Sequence, residues 1–192
     1  MSEVDPYDAL RSDCWDEALK AFGTAYIFEQ RVKGMKWKLR LPAFAGIAIP
    51  LIIGSVFLSF GKDFDYLDEF VIGAGVLAVV QITVSVWALI AKWEDGLAYA
   101  LESASANYEL SNEFKKLAKN PPTDIAEFRR PFDILETKNQ ARRDLDYRQG
   151  VSDKEKHKGM RAGLRQFERP CKKCSEVPTS MKATKCPVCG NF

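Results

Sequence analysis

The hydrophobic residues of this chain are concentrated in two runs. Residues 41–61 read LPAFAGIAIPLIIGSVFLSFG and residues 70–91 read FVIGAGVLAVVQITVSVWALIA, and neither run contains a charged side chain. At about 1.5 Å per residue each run spans roughly 30 Å as a helix, the thickness of the hydrocarbon core of a bilayer. The runs are separated by eight residues, KDFDYLDE. The pattern predicts a tight transmembrane hairpin, and the alternative is a buried helical hairpin of a soluble protein.

The charges beside the two runs predict which way the hairpin is oriented. Arg31, Lys33, Lys36, Lys38 and Arg40 precede the first run, and Lys92 follows the second. The intervening loop is acidic, with one lysine, Lys62, against Asp63, Asp65, Asp68 and Glu69. Because positively charged flanks stay on the cytoplasmic side, we expect both termini in the cytoplasm and the loop outside.

Two amphipathic segments flank the hairpin. From residue 5 to 40, apolar residues recur at helical spacing: Trp15, Leu19, Phe22 and Tyr26, with Cys14, Ala18 and Ala25 beside them. Cys14 is therefore expected to be buried as a small apolar residue. The second run is expected to continue as a helix towards residue 118, with Gly96 as its weak point. An apolar stripe there (Leu97, Leu101, Ala104 and Tyr108, with Leu110, Phe114 and Leu117 beside it) is expected to pack on the N-terminal helix.

These elements predict three regions in an all-α membrane protein. Residues 1–120 form the two-transmembrane helical domain, with spans of about 41–61 and 70–91 and cytosolic helices. Residues 121–167 form a cytosolic helical linker, in which Thr123 caps a short helix and Ser152 and Glu155 form a capping box. Residues 168–192 form a small C-terminal zinc ribbon.

The ribbon is predicted from four cysteines in two CxxC pairs. Cys171 and Cys174 lie in CKKC, and Cys186 and Cys189 lie in CPVC after a gap of eleven residues. Two such pairs can provide the four thiolates of one structural Zn²⁺ ion, although a Cys₄ site also suits iron. Disulfides or a redox-active pair are the alternatives. Disulfides need an oxidising compartment, whereas the expected topology places the cysteines in the cytosol.

The second run contains small and polar residues on one helical face: Ala74, Ala78, Gln81, Ser85 and Ala88. Such a stripe either packs against the first run, where Gly46, Pro50 and Gly54 leave room, or lines a narrow pore between protomers. Two helices cannot enclose a pore, so a channel requires a homo-oligomer. Neither run contains an ionisable residue, which argues against a proton-coupled transporter.

A basic segment precedes and enters the ribbon: Lys154, Lys156, Lys158, Arg161, Arg165, Arg169, Lys172 and Lys173. It can contact nucleic acid or anionic lipid headgroups, or it can be a solvated helix. Phe167 is its one aromatic residue, which weakens the case for stacking on single strands. No catalytic constellation or phosphate-binding loop is found, and the single histidine, His157, is expected to be solvated. We therefore expect a protein that is not an enzyme.

The helix, the two-span hairpin and CKKC–x11–CPVC together resemble the SLATT family, the SMODS- and SLOG-associated two-transmembrane effectors of bacterial conflict systems. The cysteine spacing resembles the group described as mobilome CxxCx(11)CxxC proteins. The resemblance implies an oligomeric effector of the bacterial inner membrane, pore-forming or membrane-disrupting, in antiphage or mobile-element conflict. It also implies a nucleotide- or nucleic-acid-sensing partner. Only the four cysteines carry over, as metal ligands.

Two other functions fit the same sequence. In the first, the hairpin anchors an adaptor whose zinc ribbon and basic segment bind nucleic acid or a protein. In the second, the chain is a structural assembly protein without a switch. Replacement of Gln81 and Ser85 by leucine would separate a conducting oligomer from an adaptor.

Overall fold

The computed structural model describes residues 5–60 and 66–192, with the side chain of Phe60 left out. Its described part contains five α-helices and no β-strand. They are α1 (Pro6–Phe60), α2 (Leu67–Ile90), α3 (Trp93–Lys119), α4 (Ile125–Tyr147) and α5 (Asp153–Gln166). The chain packs as two compact units, one formed by Met1–Gln30 with Ala100–Phe192 and the other by Arg31–Tyr99.

The first unit is held together by an apolar core between α1, α3 and α4. The core contains Leu10, Cys14, Ala18, Phe114, Ala118, Phe128, Phe132 and Leu135. The expected contact between the N-terminal helix and the 93–118 helix is present. The Tyr108 hydroxyl donates to Glu29 Oε2 over 2.7 Å, and the Ser111 hydroxyl donates to the carbonyl oxygen of Ala18 over 2.7 Å. Cys14 is fully buried, as predicted.

A buried polar network joins α3 to α4. The carboxylate of Asp146 accepts hydrogen bonds from Ser103 Oγ at 2.7 Å and from Asn107 Nδ2 at 2.8 Å. The guanidinium of Arg142 donates to the same carboxylate and to Glu102. Buried polar groups are tolerated only when they are satisfied, so this network specifies how the two helices pair.

Helix α5 approaches α1 so closely that main chain meets main chain. A Cβ atom built on Gly159 would lie 2.6 Å from the carbonyl oxygen of Gly23. One built on Gly163 would lie 2.8 Å from the carbonyl oxygen of Leu19. Real Cβ atoms are not found at such distances, so the absence of side chains at these positions is what permits the contact.

The second unit contains the two apolar runs. Within α1 and α2, 18-residue windows reach mean hydropathies of 2.2 and 2.1, and none of either window is buried. By length and composition both helices can cross a membrane. Asp68 and Glu69 lie in the first turn of α2 rather than in the connecting loop. Lys62, Asp63 and Asp65, on which the predicted orientation also rests, lie outside the described residues.

Four details of the sequence interpretation are corrected. Helix α2 does not run on into the next helix, because Lys92 adopts a left-handed conformation (φ 49°) between α2 and α3, and Gly96 lies inside α3. The N-cap of α4 is Asp124, whose carboxylate accepts from two main-chain N–H groups, and not Thr123. The short helix predicted after Thr123 is instead one long helix, α4, and Pro131 lies within it.

The buried face of α3 also differs from the predicted stripe. Leu101 is 44% exposed, whereas Ser103, Asn107 and Ser111 are buried. A pattern based on apolar residues misses this face because the residues at its centre are polar. Ser103 donates to Asp146 of α4, and Ser111 donates to the carbonyl oxygen of Ala18 of α1. The capping box of α5, by contrast, is confirmed at Ser152 and Glu155.

Candidate metal centre

The four cysteines of the two CxxC pairs converge on one point. The sulfur atoms of Cys171, Cys174, Cys186 and Cys189 all lie within 4.8 Å of one another. Two of the distances are 3.9 Å, between Cys171 and Cys186, and 3.8 Å, between Cys174 and Cys189. A tetrahedron with metal–sulfur bonds of about 2.3 Å has edges of about 3.8 Å, so the geometry fits one tetrahedral ion.

Each CxxC pair is shaped by a tight turn. In the first turn, the N–H group of Ser175 donates to the carbonyl oxygen of Cys171 over 2.8 Å, and Ser175 has a φ of 58°. In the second, the N–H groups of Gly190 and Asn191 both donate to the carbonyl oxygen of Cys186 over 3.0 Å. A Cβ at Gly190 would lie 2.9 Å from the carbonyl oxygen of Thr184, which excludes larger residues.

The second turn also favours a thiolate. Hydrogen bonds from the main-chain N–H groups of Val188 and Cys189 lower the pKa of the Cys186 thiol to about 6. Burial raises the pKa of the neighbouring Cys189 thiol. A bound cation would offset that cost, because metal binding releases the thiol protons and stabilises all four thiolates together. Four cysteine ligands would occupy every position around a tetrahedral ion, which is typical of a structural metal site and not of a catalytic one.

The ribbon is bound to the helices of the first unit. Cys171, Cys186 and Cys189 belong to an apolar cluster with Leu19 of α1 and Leu164 of α5. The buried guanidinium of Arg161 donates to the carbonyl oxygens of Ser180, over 2.7 Å, and of Cys189, over 3.2 Å. His157 Nδ1 lies 2.7 Å from the carbonyl oxygen of Asn191, so this histidine contacts the ribbon instead of being freely solvated.

The basic segment is divided by these contacts. Arg161 is buried, and Arg169 is half-buried and forms an ion pair with Asp16 of α1. Lys156 pairs with Asp153, and Lys158 lies over the ring of Phe192. Both of these lysines are exposed, as are the remaining members, Lys154, Arg165, Lys172 and Lys173. Lys172 also forms an ion pair with Asp16, over 3.5 Å. The set is therefore not one continuous cationic surface, and Arg161 has a structural role.

In the second unit, the stripe on α2 lies partly against α1. Gln81 Nε2 donates to the carbonyl oxygen of Pro42 over 2.7 Å, and a Cβ at Gly46 would lie 3.3 Å from the same nitrogen. Ala74, Gln81, Ser85 and Ala88 are half-buried, whereas Ala78 is exposed. Gln81, the polar amide of the stripe, thus bonds to α1 of the same chain.

Sequence reasoning missed the residues that hold the ribbon in place. Arg161 was predicted to be part of a surface for nucleic acid or lipid, and Asp16 was not singled out, because their partners are distant in sequence. The spacing of Gly159 and Gly163 four residues apart in a polar helix was the one available signal, since such a pair lets two helices approach closely.

The chain was compared with protein families, curated proteins and solved structures. A family model described as "Mobilome CxxCx(11)CxxC protein" matches residues 11–192. No curated protein and no solved structure matches the chain. The matched residues include most of α1, all of α2 to α5 and the four cysteines, so the match rests on more than the cysteine motif.

Proposed function

Because the chain belongs to the mobilome CxxCx(11)CxxC family, we propose that it is an oligomeric, non-enzymatic effector of the bacterial inner membrane. It would permeabilise or disrupt that membrane in an antiphage or mobile-element conflict. The proposal extends to SLATT-like architecture, with α1 and α2 crossing the membrane and both termini in the cytoplasm. The Cys₄ site would hold one Zn²⁺ ion, which suits four thiolates in a reducing compartment.

The observation that carries this proposal is the packing of the ribbon on α1. The metal-ligating cysteines share a cluster with Leu19, and Arg169 pairs with Asp16. The same helix, α1, extends to Phe60 and contains the first apolar run. A partner or ligand that displaces the ribbon would therefore act directly on a helix that enters the membrane.

The second step of the proposal concerns the hairpin. In the described arrangement Gln81 is bonded to the carbonyl oxygen of Pro42, which corresponds to a closed state. Opening would exchange this bond for contacts with water or with another protomer. The half-buried Ser85, one turn along α2, would become accessible on the same face.

Dye leakage tests the proposal. Liposomes would carry either the purified protein or the Gln81→Leu/Ser85→Leu variant. Thr83→Val is the matched control, because the Thr83 hydroxyl donates to the carbonyl oxygen of Val79 in its own helix. Leakage lost in the double variant but kept in the control supports a conducting oligomer lined by this stripe. Equal leakage from all three indicates general membrane disruption. No leakage from any of them, with a candidate nucleotide and nucleic acid added, contradicts the effector function.

A membrane-tethered adaptor is the second candidate. Two observations favour it. The side chain of Gln81 is already bonded to Pro42 instead of being free to line a pore, and the ribbon carries exposed lysines, with the side chain of Lys172 93% exposed. Replacement of Lys172 and Lys173 by glutamate, measured in a mobility-shift assay with DNA, tests it. If the protein is an adaptor that binds nucleic acid, the variant should bind DNA more weakly and with less dependence on salt than the wild type. If it is an effector with a protein partner, neither the wild type nor the variant should retard the DNA.

A further inference from the structure

The two helices of the second unit line an open cavity for which the proposed function names no ligand. Its volume is about 470 Å³. Pro42, Ala43 and Gly46 line it on α1, and Gln81, Ser85 and Ala88 line it on α2. The small side chains on both helices create the space, and the Gln81–Pro42 hydrogen bond crosses the hairpin beside it.

The mouth of this cavity is charged. Lys92, Trp93, Glu94 and Asp95 line it at the junction between α2 and α3. Lys92 adopts its left-handed conformation there, which is strained for a residue with a side chain. Strained backbone conformations are retained where the surrounding structure holds them, and they cluster at functional sites. Here the sharp turn places one ammonium and two carboxylates at one opening.

The residues of α2 that line the cavity lie in the half of the helix that ends at Ile90. From Gln81 to the end of α2 at Ile90, the helix rises about 14 Å, close to half of the roughly 30 Å hydrocarbon core. Gln81 lies near the middle of α2, and the charged mouth follows its last residue. A ligand with one polar end and one long apolar end would therefore fill the site.

We propose that this cavity binds a phospholipid with a primary-amine headgroup, that is, phosphatidylethanolamine, in the cytoplasmic leaflet. Lys92 would pair with the phosphate, and Glu94 and Asp95 would accept hydrogen bonds from the ammonium group. One acyl chain would lie along Gly46 and Ala88. Phosphatidylglycerol has no cationic group to pair with the two carboxylates. Phosphatidylcholine is cationic there but has no N–H group to donate to them. The inference rests on the membrane insertion included in the proposed function.

The test uses the full-length, metal-loaded protein in nanodiscs with equal amounts of dioleoyl phosphatidylethanolamine, phosphatidylcholine and phosphatidylglycerol. Native mass spectrometry then identifies the lipids retained after detergent extraction. We expect about tenfold enrichment of the ethanolamine lipid, the effect of one charge-assisted hydrogen bond. Glu94→Gln/Asp95→Asn should lose that preference. Arg40→Gln, at an exposed residue outside the cavity, should keep it.

The outcomes distinguish this inference from the proposed function. If the protein enters nanodiscs but retains the three lipids equally, the lipid site is wrong and the effector proposal is unaffected. If it does not enter nanodiscs, as measured by flotation, membrane insertion itself is wrong. A cavity-filling change, Ala88→Phe, provides a second check, because it should lower retention of every lipid while leaving the charged mouth intact.

Discussion

The side-chain nitrogen Nε2 of Gln81 in α2 donates a 2.7 Å hydrogen bond to the carbonyl oxygen of Pro42 in α1. The most polar residue of the second apolar run is thus satisfied inside one protomer. A hydrogen bond between membrane helices is worth about 0.6 kcal/mol on average, so the bond can be broken without unfolding the protein.

We predict that Gln81→Leu destabilises the hairpin by about 0.6–1.5 kcal/mol, because the carbonyl oxygen of Pro42 loses its donor. Thermal unfolding in detergent micelles would measure the loss. Thr83→Val is the control, since Thr83 bonds within its own helix and should change the midpoint little. Equal midpoints for the Gln81→Leu variant and the wild type would show that the bond is not formed in solution.

Gly159→Ala should destabilise the first unit by about 1–3 kcal/mol, the usual range for overpacking. Its new Cβ would lie 2.6 Å from the carbonyl oxygen of Gly23, so α5 must move away from α1. Gly34→Ala, in the part of α1 that belongs to the second unit, is the control. No described atom outside its own helix lies within 4 Å of its Cβ position, and alanine in a helix is favoured by up to about 1 kcal/mol. Urea unfolding of both variants would measure the difference, and similar midpoints would contradict the close approach.

Removal of the metal should release α5 together with the ribbon. Arg161 of α5 is bound to two ribbon carbonyl oxygens, and Leu164 shares a cluster with the ligating cysteines. Hydrogen exchange with and without a chelator would show faster exchange in residues 153–192. Helices α3 and α4 should stay protected by the Asp146 network. Unchanged protection of α5 would mean that its packing on α1 is sufficient without the ribbon.

Stability should fall at alkaline pH partly because of Tyr108. Burial, and then the hydrogen bond to Glu29, raises the pKa of this phenol above its ordinary value of 10.0. The unfolded chain therefore loses the phenolic proton first, so the contribution is complete below about pH 10 and is lost as the pH rises towards the folded-state pKa. Tyr108→Phe should flatten the decline in unfolding free energy between about pH 9 and pH 11. An identical slope in the variant would show that the phenol is solvated.

The sequence allowed the helical class, the two apolar runs and the ligand quartet to be predicted, because each follows from a local pattern. The packing around them could not be predicted in this way. The burial of Arg161 depends on carbonyl groups of the ribbon, and the polar face of α3 depends on Asp146, about forty positions away. The break at Lys92 was missed because no glycine or proline marks it, and the left-handed turn is adopted by a lysine.

The full burial of Cys14 gives this protein an internal standard for assays of its metal content. Cys14 has no exposed surface, and burial raises the pKa of its thiol to about 12, so an alkylating reagent should not reach it before the first unit unfolds. The other four cysteines converge on one point, and we expect them to react with the reagent only when no metal ion is bound. Counting modified thiols by mass therefore separates three forms of the chain: none in the loaded protein, four in the metal-free folded protein and five in the unfolded one. A single alkylation experiment can thus report loading and folding on the same molecule.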